Sequence, residues 1–244
     1  MRRDRLLILS EPEDPVAAWV HERLAARGLA ADLVTSEALC LGAVWVHTLG
    51  HAGTSFRITL QDGRRIQSDE VRAVLNRLVR VPDRYLVTAT ASDRAYAEQE
   101  WRALICSALH ALSLGGAAVV ERPDPHVLSG RWRSPAEWAL LAARSGLRVS
   151  PWRWHEEAPE EWPSIGAHAW ALIMGEDVIS EAALPREVQS ACCRLAALAE
   201  VSLLQVGLDL RDEAGPRFLG AQAMPDLRLG GERALDALVR GLGA

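Results

Sequence analysis

The side chains in this sequence that are equipped for chemistry come as incomplete sets. Asp209 ends an apolar segment, Gly207-Leu208-Asp209, that reads as a strand. Magnesium is held by one or two carboxylates with substrate phosphates and water completing its octahedron. The following segment, Arg217-Phe218-Leu219-Gly220-Ala221-Gln222, supplies no second acid. His47 and His51 are four apart, a metal spacing on a helix. They flank Thr48-Leu49-Gly50 behind a strand, where that spacing loses its meaning, and they read as ordinary loop residues. Cys106 has only His110 nearby, so Cys106 and Cys40 read as buried thiols. Arg72, Arg77, Arg80 and Arg84 form a cationic stripe beside Tyr85. Such a stripe is either solvated surface or a site that takes a carboxylate-bearing peptide through forked guanidinium contacts. Trp45 joins this candidate set, because tryptophan with arginine is the composition of binding hot spots.

Composition removes whole classes of activity. All 27 residues counted as lysine or arginine are arginine. Without lysine there is no Schiff base and no P-loop lysine, which excludes pyridoxal enzymes, lysine-dependent aldolases and P-loop kinases. A net charge of −5 argues against nucleic-acid binding, which needs a clustered cationic surface. No apolar run approaches the length of a membrane span. The start, Arg2-Arg3-Asp4-Arg5-Leu6-Leu7-Ile8-Leu9, runs straight into Ser10-Glu11-Pro12 with no cleavage site. It is read as a first strand, not a secretory signal, with a cytoplasmic location as the expectation. Four cysteines make no disulfide framework.

The elements that must position these residues follow from local patterns. Arg5 to Ser10 reads as a strand, Val16 to Arg27 as a helix and Leu29 to Val34 as a second strand. The acidic turn at Glu11 to Asp14 has no Gly-x-Gly-x-x-Gly and would repel a pyrophosphate. Ala43 to Thr48 and Phe56 to Leu60 read as strands, and Gln61-Asp62-Gly63 as a hairpin turn. Ser68 to Val71 reads as a capped helical turn. Ser92 is expected to start a helix whose apolar face includes Tyr96, Trp101, Ile105 and Leu109. Ser134-Pro135-Ala136-Glu137 is a capping box. A strand, turn and strand at 169–179, a helix from Pro185 to Ala199, and a closing strand, turn, strand and helix complete the chain.

Two stretches carry a resemblance. Asp69-Glu70-Val71-Arg72-Ala73-Val74, behind an Asp-Gly hairpin, is similar to the N-terminal domain of the ATP-grasp enzymes that modify ribosomal peptides. The closing segment resembles the one in which such ligases hold magnesium, with an Asp on one strand and Phe-Leu-Glu-Val-Asn-Pro on the next. Here Phe218-Leu219-Gly220-Ala221-Gln222-Ala223 stands in that place, so the glutamate is glycine and the asparagine glutamine. A lysine of the family falls near Arg131 or Arg133, and only Trp152 to Gly166 occupies the position of a far longer family stretch that includes the lid.

The resemblance implies an α/β chain: a Rossmann-like pre-ATP-grasp domain over 1–122, then a truncated α+β ATP-grasp remnant without its lid over 123–244. It implies a pseudoenzyme that keeps no cofactor, with Asp209 as a relic ligand position. The expected role is to hold a ribosomally made precursor peptide for partner enzymes, as the peptide-binding proteins of crocagin biosynthesis do. Trp45, Arg72, Arg77, Arg80, Arg84 and Tyr85 are the candidate peptide contacts. The alternatives are a minimal ATP-dependent carboxylate-amine ligase and a structural subunit of a maturase complex. Homodimerisation is a further expectation, since a missing lid exposes apolar surface that a second copy can cover.

Overall fold

A computed structural model describes residues 4–41, 44–51, 53–82, 86–124, 127–150, 169–211 and 215–243. The chain divides into two units, Met1–Gly130 with Val239–Ala244, and Arg131–Leu238. The segment from Trp152 to Gly166, on which the expectation of a missing lid rests, lies outside the described residues.

The first unit runs β1 (Arg5–Ser10), α1 (Pro15–Ala26), β2 (Ala31–Thr35), α2 (Ser36–Leu41), β3 (Val44–Gly50), β4 (Gly53–Thr59), β5 (Arg65–Gln67), β6 (Val71–Arg77), α3 (Ala91–Leu114) and β7 (Ala118–Val120). A four-stranded parallel sheet has the order β2-β1-β6-β7. Its central strands are buried on both faces over Leu6 to Leu9 and Ala73 to Leu75, which is why those stretches read as apolar runs. Leu7, Leu9, Val34 and Val74 face a core shared with Phe56, Ile58 and Ile66 of a second, antiparallel sheet, β3-β4-β5, and with Ile105, Leu109 and Leu112 of α3.

Several local expectations are corrected. The turn at 68–70 is not helical: Ser68 exchanges hydrogen bonds with Phe56, its hydroxyl accepting from the Phe56 N–H and its N–H donating to the Phe56 carbonyl. Val71 already belongs to β6. The cap of α3 is Thr90, whose hydroxyl accepts from the Asp93 N–H at 3.1 Å. Tyr96, expected on the apolar face, is 65% exposed. The short helix α2 follows Thr35, whose hydroxyl accepts from the Ala38 N–H.

The second unit runs α4 (Pro135–Ser145), β8 (Arg148–Val149), β9 (Ala169–Met174), β10 (Asp177–Ser180), α5 (Arg186–Ala199), β11 (Leu203–Asp209), β12 (Arg217–Gln222), a 3-10 turn at Leu227–Gly230 and α6 (Gly231–Gly241). Its sheet order is β10-β9-β11-β12-β8, antiparallel apart from β12 with β8. The Ser134 capping box forms as its residues dictate, and Gly146 ends α4 in the left-handed region. Trp138, Leu141, Cys192 and Leu195 of α4 and α5 pack on Ala171, Ile173, Leu204 and Val206 of the sheet. Each fully buried leucine or isoleucine there stabilises the fold by about 1.5–3 kcal/mol. Around Gly230 the chain passes so close that an added Cβ would lie 2.6 Å from that of Ala234 and 3.0 Å from Leu172 Cδ1.

Candidate functional site

On the β11–β12 hairpin, register places Asp209 opposite Arg217, Gly207 opposite Gly220 and Gln205 opposite Gln222. The Asp209 carboxylate accepts from the Arg211 N–H at 3.0 Å, from Arg211 Nε at 3.3 Å and from Arg217 Nη2 at 3.2 Å. The Arg211 N–H, then the two guanidinium groups, hold this carboxyl below the usual range despite its partial desolvation. Gln222 donates to the Gln205 side-chain oxygen at 2.9 Å, and the Asp226 N–H donates to that same oxygen at 3.2 Å. The only carboxylate on this strand pair is therefore neutralised within the chain. No cluster of three His, Cys, Asp or Glu side chains suited to a metal occurs among the described residues.

The first unit offers a second place to look. α1 leads to β2 on one side of β1 while β6 lies on the other, and ligands of open α/β sheets bind beyond the strand ends at such a switch point. Here the position is filled from within. Glu11 accepts from the Val79 N–H at 2.9 Å, the Arg80 N–H at 3.1 Å and the Ser36 hydroxyl at 2.9 Å. Asp14 caps α1, accepting from the N–H groups of Val16 and Ala17, and forms a 2.6 Å ion pair with Arg77. Helix N-termini attract phosphate through such N–H groups, and this one already holds a carboxylate. The acidic turn that reads as repelling a pyrophosphate is thus a set of internal ligands. The space left beside it, about 280 Å³, is bordered by Glu11, Glu13 and Glu37 with Arg80.

Among the described residues, the expected peptide contacts Trp45, Arg72, Arg77 and Arg80 are not brought together on one surface. Arg77 is only 5% exposed and engaged with Asp14, so it leaves the stripe. Arg72 is exposed at the start of β6, and at ~3.3 Å per residue about 16 Å of strand separates it from Arg77. Arg80 is exposed beyond the other end of the strand. Trp45 turns inward: its indole N–H donates to the Leu39 carbonyl at 2.9 Å, and its ring lies against Phe56 and edge-on to Trp101. Arg84 and Tyr85 lie outside the described residues. His47 is a strand residue, stacked on Phe56 with Nε2 3.2 Å from the Ser107 hydroxyl. Cys40 and Cys192 are buried thiols pushed up to about 12 by desolvation, and burial raises Cys106 as well. Sequence reasoning passed over a groove of about 710 Å³ between α3 and residues 122–124. Its signal was the helical spacing of Arg102, Cys106 and His110.

No family model matches the chain, and neither does any curated protein sequence. Solved structures do. The macrocyclase MdnC from Microcystis aeruginosa MRC, bound with precursor peptide MdnA, superposes with a TM-score of 0.73 at 13% identity, covering 98% of this chain and 100% of its own. The ATP-grasp ligase PsnB complexed with minimal precursor gives 0.70 at 17% identity, over 98% and 100%. A RiPP-associated ATP-grasp ligase from Chryseobacterium gregarium, in complex with ADP and a leader and core peptide, gives 0.69 at 11%, over 97% of each. The chain shares the fold of these ATP-grasp structures. On that ATP-grasp scaffold, the arginines near the expected lysine position carry local structural contacts. Arg133 donates to the Ala199 carbonyl at the end of α5 and stacks over Trp138, and Arg131 pairs with Glu200 at 2.8 Å. No described helix is long and apolar enough to cross a membrane.

Proposed function

We propose that this ATP-grasp scaffold works without catalysis, binding a ribosomally made precursor peptide and holding it for partner enzymes. One observation carries the reading: Asp209 is engaged by Arg211 and Arg217 on a hairpin whose neighbouring ligand positions are Gly220 and Gln222. A magnesium ion would have to displace two guanidinium groups and would find no second carboxylate on β12. The peptide half of the reading comes from the solved relatives, whose structures contain precursor peptides. Within this reading the chain is a pseudoenzyme, comparable to the peptide-binding proteins of crocagin biosynthesis, and the residues of the former nucleotide site now serve as structural contacts.

Calorimetry decides between this and a surviving ligase. Titration with ATP and magnesium is expected to give no binding heat, whereas titration with a precursor peptide encoded beside the gene is expected to give a saturable isotherm. Nucleotide binding that depends on magnesium, and that Asp209→Ala abolishes, would instead establish the minimal-ligase alternative.

A further inference from the structure

The groove on α3 has no part in the contacts described for Asp209, Glu11 or Asp14. Along the solvent side of α3, residues 96, 99, 103, 106, 110 and 113 follow one another at alternating steps of three and four, which is a single stripe of a helix. At ~1.5 Å per residue, the part of the stripe from Gln99 to Ser113 is about 21 Å long. The opposite wall is Arg122, Pro123 and Asp124. Ala103 and Pro123 give the groove apolar ground, and Arg102, His110 and Arg122 line it with basic side chains. Beyond its two ends, Tyr96 and Leu114 of the same helix are large apolar side chains left 65% and 73% exposed. At about 710 Å³ the groove falls in the range of ligand pockets.

Hydrogen bonds to β6 anchor the chain on either side of the wall. Asn76, fully buried at the end of β6, donates to the carbonyls of Glu121 at 2.8 Å and Leu128 at 2.6 Å. Ser129 returns a hydrogen bond to the Asn76 carbonyl, and the Val127 N–H donates to the Asp124 carboxylate. Glu121 sits at φ 62°, in the left-handed region that costs a non-glycine residue about 1–2 kcal/mol. Strain of this kind persists where the surroundings fix it, and it clusters at binding sites. Here it sets the direction in which Arg122 leaves the sheet. Arg122 is exposed and forms no ion pair among the described residues, whereas Arg102 is shared with Glu98 and the Asp124 carboxylate is used within its loop.

We propose that this groove is the peptide site, taking an extended segment that sets apolar side chains against Ala103 and Pro123 and a carboxylate against Arg122 and Arg102. At ~3.3 Å per residue a segment of about six residues spans the stripe. The assignment rests on the peptide-binding function proposed above, and it names the partner's chemistry: acidic and apolar side chains interleaved. A second copy of the chain is the less favoured occupant, because nothing in the structure seats one there.

An array of heptapeptides combining Leu or Phe with Asp or Glu, each paired with its Asn or Gln counterpart, tests the site. The full chain is expected to retain the acidic members and to lose affinity about tenfold for the amides. Arg122→Glu is expected to weaken the acidic members at least about tenfold, and Ala103→Trp to block the groove, both at exposed positions where melting temperature should hold. Equal retention of acidic and amide peptides, or variants that bind like wild type, would overturn the site. A precursor that binds wild type and both variants alike would refute the groove while leaving the peptide-binding function standing. Loss of the acidic probes in the variants, with no precursor bound by wild type, would keep the groove and sink that function. Saturation that tracks protein concentration in place of peptide would assign the groove to a second copy.

Discussion

The Asp14–Arg77 pair is the sharpest place to test how this fold is held. The two side chains are 10% and 6% exposed and meet at 2.6 Å. Asp14→Asn keeps an oxygen to accept from Val16 and Ala17, and asparagine caps a helix about as well as aspartate. The cap survives while the buried guanidinium loses its counter-charge, and breaking one side of a buried pair costs about 3–5 kcal/mol. Arg77→Met retains much of the apolar stem and leaves Asp14 at a helix N-terminus, where the dipole stabilises an anion by about 0.3–1 kcal/mol, so the expected cost is lower, about 2–3 kcal/mol. The double variant removes both charges together and should be less destabilised than the sum by about 2 kcal/mol. Native-state hydrogen exchange of the β6 amides reads the first unit separately from the second. A loss of about 3 kcal/mol accelerates their exchange about 150-fold. If the two single variants each change it by less than about 1 kcal/mol, or add within about 0.5 kcal/mol, the pair is not a structural lock and Arg77 returns to the candidate surface.

Other outcomes follow from single contacts. Glu11→Ala removes the acceptor of two N–H groups and a hydroxyl, and should lower stability by about 1.5–3 kcal/mol, seen as a drop in melting temperature. The depressed Asp209 carboxyl contributes stability above the ordinary carboxylate range and loses it as pH falls through its lower folded value. The urea midpoint of wild type should therefore exceed that of Asp209→Asn at pH 6, with the gap closing below about pH 4; a gap independent of pH would contradict the Arg211 and Arg217 contacts. Gly230→Ala should cost about 1–3 kcal/mol in chemical denaturation, because the new methyl meets Ala234 and Leu172. With a thiol reagent at pH 8, Cys40 and Cys192 should stay unmodified until the chain unfolds, since both are buried and pushed up to about 12.

What the sequence disclosed was local. The capping box at Ser134 and Glu137, the Asp62-Gly63 turn and the apolar runs of β1 and β9 are each written within a few residues, so periodicity and turn chemistry suffice. The Arg77 ion pair was not legible because its partner, Asp14, is 63 residues away, and no stripe of arginines records which member finds a buried acid. The inward setting of Trp45 was hidden likewise, since its indole N–H is satisfied by a carbonyl on α2, a helix the residue pattern did not announce. The α3 groove was hidden by its mixed lining, which matches neither an apolar face nor a charged one.

Proteins that bind an anion between strand and helix gain stability as that anion accumulates, by RT ln(1 + [L]/Kd). In this chain Glu11 and Asp14 are tethered occupants of that place, present at a fixed effective concentration set by the backbone. The first unit should therefore melt at the same temperature whether phosphate compounds are scarce or abundant.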